Sequence, residues 1–158
     1  MIRRGLLAVV FLATALLAAC SGGPVRRVSE PAASIQQLTV RANGSWSVDL
    51  RLQNYSSIPM RFDRVSLAVE VDGHNAGTLE SSPALSVGPE SADVVTVPFM
   101  PSAEAKMVLA DALAGRRSLP YSLKGTANAT PEEAKPRDFQ ITGRSTLNPV
   151  PGLDGVMR

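Results

Sequence analysis

Apolar and polar side chains alternate along much of this chain with the period of two that a half-buried strand requires. In Trp46-Ser47-Val48-Asp49-Leu50-Arg51-Leu52-Gln53 the alternation is strict, so one face is buried while Ser47, Asp49, Arg51 and Gln53 lie on the wet one. The run before it places Leu38, Val40 and Ala42 on one face, and Asn43-Gly44 marks a turn between the two runs. A two-residue Asn43-Gly44 loop sets Val40 opposite Ser47 and mixes the faces. A three-residue loop, Asn43-Gly44-Ser45, sets Ala42 opposite Trp46, Val40 opposite Val48 and Leu38 opposite Leu50, which keeps the apolar side chains together. The expectation is therefore this three-residue hairpin, with a positive-φ glycine and with Trp46 in the core.

A third strand is expected from about Met60 to Val71. Met60 and Phe62 have one parity and Val65, Leu67, Val69 and Val71 the other, so a bulge belongs at Asp63-Arg64. Asp72-Gly73 reads as a tight turn into a short strand through Leu79, and Val94 to Phe99 forms another strand after the Gly88-Pro89 loop. One helix interrupts the pattern. Ser102 is its N-cap, Glu104 favours the first turn, Ala105, Leu109, Ala112 and Leu113 share a face, and Gly115 ends it. Strands then return at Leu119 to Gly125 and at Phe139 to Gly143. Short strands at this spacing with a single short helix predict a mainly β fold, an antiparallel β-sandwich, over residues 35–148.

The two ends of the chain depart from this pattern. Arg3 and Arg4 precede an apolar run from Gly5 to Leu17 and a small-residue stretch, the three parts of a signal peptide over residues 1–19. An apolar run of about 13 residues covers roughly 20 Å as a helix, short of the roughly 30 Å that a spanning helix crosses. Leu17-Ala18-Ala19-Cys20 resembles the bacterial lipobox, Leu-[Ala/Ser]-[Gly/Ala]-Cys, at every position. The resemblance implies that the Cys20 sulfur takes a diacylglyceryl group, that the chain is cut before Cys20, and that the new amine is acylated. Two or three acyl chains hold a protein to a bilayer where one does so marginally, so the lipid would replace a transmembrane helix. Ser21 rather than Asp after the anchor resembles the sorting signal for the outer membrane, facing the periplasm, over the inner one. Residues 20–34 then read as the lipidated cysteine and a flexible tether rich in Gly, Pro, Ser and Ala, with Arg26 and Arg27 either solvated or resting on anionic head groups. Residues 149–158 read as a disordered Pro/Gly-rich tail.

Charge and composition narrow the function. Without Arg3 and Arg4 the chain carries 14 basic and 14 acidic residues, a balance that argues against a nucleic-acid partner. Cys20 is the only cysteine, so a disulfide within the chain is impossible. The single histidine, His74, reads as an exposed turn residue, because catalysis would need a nucleophile and an orienting acid converging on it. A zinc site would have to be built from carboxylates alone, so neither a metal nor a cofactor is expected. Hydrolase motifs and Gly-rich phosphate loops are missing, and an enzyme is not expected. Arg116 and Arg117 could hold an anion, but cations also suit the end of a helix. Asn43, Asn54 and Asn128 head Asn-x-Ser/Thr triplets, which an exported bacterial protein rarely uses.

The order of the pieces carries a resemblance. Leu52-Gln53-Asn54-Tyr55, Leu67 to Gly73, Val95-Thr96-Val97-Pro98-Phe99, Tyr121-Ser122-Leu123-Lys124-Gly125 and Phe139 to Gly143 together resemble the group 2 late embryogenesis abundant family. This is also called the water stress and hypersensitive response domain, here in the form found as bacterial lipoproteins, and the likeness covers about Ile35 to Leu147. The family has Asn-Pro-Asn after its second strand; here Asn54 is followed by Tyr55 and Ser56, which still suit a turn. The resemblance implies an immunoglobulin-like or fibronectin-III-like sandwich and an association with desiccation and stress protection, without enzymatic activity. Three roles follow as expectations for a monomer held to a membrane through Cys20: a protective or client-binding domain acting through a sheet edge, an adaptor for one envelope protein, or a lipid-handling module with an internal cavity.

Overall fold

The computed structural model describes residues 26–158. The signal peptide, Cys20 and the first part of the tether lie outside the described residues. Among the described residues nine strands and one helix follow in the order β1 (Ala32–Val40), β2 (Trp46–Gln53), β3 (Met60–Val71), β4 (His74–Ser81), β5 (Leu85–Val87), β6 (Ala92–Phe99), α1 (Ala103–Ala114), β7 (Leu119–Pro131), β8 (Arg137–Leu147) and β9 (Val156–Met157). They build the expected antiparallel β-sandwich. One sheet has the order β6-β2-β1-β9 and the other β4-β3-β7-β8, with β5 pairing on β3 beyond the end of β4.

The alternation of β2 decides which side faces inward. Trp46, Val48, Leu50 and Leu52 are buried against Phe62, Val65, Leu67, Leu123 and Ile141 of the opposite sheet. Trp46 stacks at a tilt on Phe99, its cross-strand neighbour in β6, with ring centroids 5.8 Å apart. The interior is thus filled by large side chains from both sheets. In β3 the register shifts between Phe62 and Arg64, so the bulge falls at Asp63 as its parity slip predicted. Hydrogen bonds from Arg61 and from Thr130 hold the half-buried Asp63 carboxyl below its usual pKa.

The β1–β2 hairpin corrects the expected register. Val40 lies opposite Trp46 and Leu38 opposite Val48. Arg41 N–H bonds to the Ser45 carbonyl at 2.8 Å and Gly44 N–H to the Arg41 carbonyl at 2.9 Å, so the three loop residues are Ala42, Asn43 and Gly44 rather than Asn43 to Ser45. Gly44, at φ 77°, takes the last, left-handed position of the loop. The loop is displaced by one residue and each pairing by two, so the faces keep their identity although Ala42 leaves the strand for solvent. A further bulge lies between Ile35 and Gln37, which brings Ala33, Ile35 and Leu38 all to the core side.

Both boundaries of the fold extend past those expected. β1 starts at Ala32 rather than Ile35. The tail, expected to be disordered, returns to the sheet: Val156 and Met157 are buried, Met157 pairs with Leu38, and Asn148 and Arg158 exchange backbone hydrogen bonds. Ser102 caps α1 by accepting from Ala105 N–H at 3.1 Å, and Ala105, Leu109 and Ala112 are buried. At its other end Gly115 is the C-cap, but the left-handed residue is Arg116, at φ 50°.

One side chain ties the sheets together where β1 is irregular. The bulge takes the Ile35 N–H out of the ladder, and the buried Tyr121 hydroxyl of β7 accepts it at 2.9 Å. Tyr121→Phe keeps the ring but orphans a buried N–H, so it should lower stability by about 1–3 kcal/mol in a denaturant titration. Burial also pushes the Tyr121 phenol above its ordinary pKa of 10.0, against the opposing effect of its hydrogen bonds to Ile35 and Ser145. The unfolded chain then loses this proton first as pH rises past 10.0. Stability should therefore fall between that pH and the folded-state pKa, and Tyr121→Phe should flatten that slope.

Candidate functional site

Antiparallel register sorts the loops into two ends of the sandwich. At one end β2 finishes, β3 begins opposite Val87 and Pro131, and the β5–β6 and β7–β8 loops gather beside them. At the other lie the β1–β2 hairpin, the β3–β4 turn, α1 and the C-terminal loop.

The first end is organised around Asn54. Its side chain is fully buried. The amide nitrogen donates to the carbonyls of Ile58 (2.8 Å), Val87 (3.2 Å) and Gly88 (2.9 Å), while Oδ1 accepts from Ser56 N–H at 2.8 Å. The turn expected at Asn54-Tyr55-Ser56 is therefore an Asx turn that also holds the β5–β6 loop. Because the Asn54 nitrogen is already committed to three carbonyls and is shielded from solvent, the triplet at Asn54 cannot take a glycan in the folded protein.

The tether runs onto this end. Ser29 N–H bonds to the buried Ser56 hydroxyl at 3.0 Å, Arg27 N–H to Ser57 Oγ at 2.8 Å, and Ser57 N–H to the Arg27 carbonyl at 3.0 Å. Val28 packs against the core. Arg27 reaches Glu90 Oε1 and the Tyr55 carbonyl, each at 3.2 Å, and Arg26 pairs with Glu133 at 2.5 Å and lies 3.7 Å from Glu132. The two arginines, read from sequence as solvated or on head groups, are paired with carboxylates of the domain. Sequence reasoning missed Glu90, Glu132 and Glu133 as their partners, since these lie 63 to 107 residues away.

The other candidates are placed apart from this end. His74 is half-buried at the start of β4, and its Nδ1 meets Glu104 Oε1 at 2.8 Å, joining that strand to the first turn of α1. Glu104 could orient an imidazole, but the hydroxyl beside it, Ser102 Oγ, is engaged with the Asn75 carbonyl and the helix N-terminus. Arg117, which follows the C-cap Gly115, pairs with the Asp111 carboxylate of α1. Among the described residues no three His, Cys, Asp or Glu side chains converge as metal ligands. No described helix is long and apolar enough to cross a membrane.

Of the four edge strands, β6, β9, β4 and β8, two are guarded, β6 and β4. The bond from Asn54 N–H to the Ser91 carbonyl sets the alternation along β6, so that its odd-numbered residues bond to β2 and its even-numbered ones face outward. Of these, Pro98 has no N–H to offer, and the Val94 N–H is taken by Asp93 Oδ1 at 2.8 Å. Ser102 covers the start of β4 by bonding to the Asn75 and Ala76 carbonyls. Edge pairing, expected as the route to a client, is thus impeded on both strands.

A crystal structure of a protein from Archaeoglobus fulgidus is similar at 10% identity and a TM-score of 0.41, over 76% of this chain and 97% of that one. The solution structure of an Arabidopsis thaliana protein is similar at 12% identity and a TM-score of 0.49, over 85% of this chain and 87% of that one. No curated protein sequence matches the chain. The family model described as late embryogenesis abundant protein matches residues 49–142, from the middle of β2 into β8. Since that match takes in more than half of the chain and most of both sheets, the protein belongs to the late embryogenesis abundant family, group 2.

Proposed function

We propose that the chain is a lipid-anchored, non-enzymatic envelope protein whose late embryogenesis abundant domain serves in stress or desiccation protection, acting from the membrane surface on other envelope components. The observation that carries this reading is the position of Cys20. It ends a signal-like apolar run and precedes by only six residues the point where Arg26 docks on the domain. Anchoring and fold are thus adjacent, and the strongest functional signal in the chain concerns location. A core already filled by Trp46, Phe62, Leu67 and Leu123 gives the lipid-handling alternative no support. The adaptor alternative is favoured by Met100, Met107 and Leu153, apolar side chains 61%, 67% and 50% exposed near the helical end.

Dependence on location can be tested by complementation. In a deletion strain challenged by drying or osmotic stress, the full chain should restore survival, while a periplasmic form lacking the lipid should not. Full rescue by the soluble form would favour a diffusible protectant. Loss of rescue on changing His74 alone would reopen an enzymatic reading.

A further inference from the structure

We propose that Arg26 and Arg27 form a latch that seats the tether on the Asn54 end of the sandwich, so that this end faces the lipid surface and the helical end is held away from it. The proposal rests on lipidation of Cys20.

Chain length sets the geometry. From Cys20 to Arg26 the chain spans at most roughly 20 Å, and from Cys20 to the start of β1 at Ala32 at most roughly 40 Å. The long axis of the domain is set by β7, 13 residues or roughly 40 Å. With the latch closed, the Asn54 end cannot rise far enough for the helical end to turn down onto the same membrane. With the latch open, the leash is as long as the body and that inversion becomes possible. The latch therefore governs which surface the domain presents.

Its construction favours closure. Each exposed ion pair is weak alone, but Arg26 and Arg27 act together with the backbone bond from Ser57 to Arg27, the Ser29 bond to buried Ser56 and the packing of Val28. Charge points the same way. Glu90, Glu132 and Glu133 would be repelled by an anionic lipid surface, and the two arginines offset two of those three charges in place.

Lipidated full-length protein would be reconstituted in vesicles of mixed zwitterionic and anionic lipid containing an acceptor-labelled lipid. A donor dye would be placed on either of two exposed positions, Lys135→Cys at the Asn54 end or Ala110→Cys on α1. Cys20 is blocked by its lipid, so each added thiol labels alone. Energy transfer to the surface should be severalfold stronger from position 135 than from 110, and Arg26→Glu with Arg27→Glu should shrink that difference while leaving the melting transition in place. Equal transfer from both positions in the unaltered protein, or a difference untouched by the charge reversals, would overturn the latch. Failure of the protein to float with vesicles would instead strike the lipidation reading, and the latch with it.

Discussion

Leu50→Asp should leave the domain unfolded, while Arg51→Asp one residue away should leave it folded. Leu50 is fully buried at the centre of β2, between Ile35 of β1 and Val95 of β6. Replacing it removes a core side chain and puts a carboxylate where no cation can reach it. The truncation alone is worth about 2–5 kcal/mol, and burying an unpaired polar or charged group adds further cost. Together these approach the 5–15 kcal/mol that stabilises a typical domain. Arg51 points to the opposite face, where its Nη2 meets Gln53 Oε1 at 3.3 Å, and its cross-strand neighbours are Ser34 and Val94. Its replacement should change stability by less than about 1 kcal/mol. Circular dichroism and thermal melting of the two variants check the contrast; equal tolerance would mean that β2 is turned the other way.

The faces of the strands were legible because alternation is a local property. Asp63 could be located as a bulge from a change of parity alone, and β3 has the bounds its residues indicated. The same sign stands at Ile35-Gln36-Gln37-Leu38, where the two core residues are three apart. Register was harder to read. It depends on where in a loop the glycine sits, and Gly44 occupies the last loop position rather than the middle one.

Segments of weak β propensity hid the rest. β7 continues through Thr126-Ala127-Asn128-Ala129-Thr130, where Ala127 and Ala129 alternate inward as Val would, yet Ala and Asn are poor strand formers. β9 is two residues in a Pro/Gly-rich tail, and only its pairing with β1 makes it a strand. Gly125 and Gly143 show a further kind of constraint. A Cβ on Gly125 would lie 2.1 Å from the Ser66 carbonyl oxygen, and one on Gly143 would lie 2.8 Å from that of Ala33, so both are required by close backbone approach across elements.

For the candidate site the division is similar. The proposed anchor at Cys20 rests on residues contiguous in the sequence. The docking of the tether was not legible there, because it joins Arg26 and Arg27 to Glu132, Glu133 and Glu90 across the whole fold. Asn54 stood out only as a turn former, although its side chain gathers the carbonyls of Ile58, Val87 and Gly88.

The central claim is that this domain works from a membrane because Cys20 carries lipid, and Cys20→Ala is the substitution that removes it. The thiolate is the only side-chain group in the chain that can form the thioether, since no other cysteine exists. Loss of two or three acyl chains would reduce membrane affinity by many orders of magnitude, at about 0.8 kcal/mol per buried CH₂. The sandwich should be unaffected, because its described core begins with Val28 and Ala33. The direct measurement is metabolic labelling with a radioactive fatty acid followed by membrane fractionation. Labelled, membrane-bound protein is expected from the unaltered chain, and unlabelled precursor from Cys20→Ala. Fatty-acid label persisting on Cys20→Ala, or missing from the unaltered chain, would contradict the account.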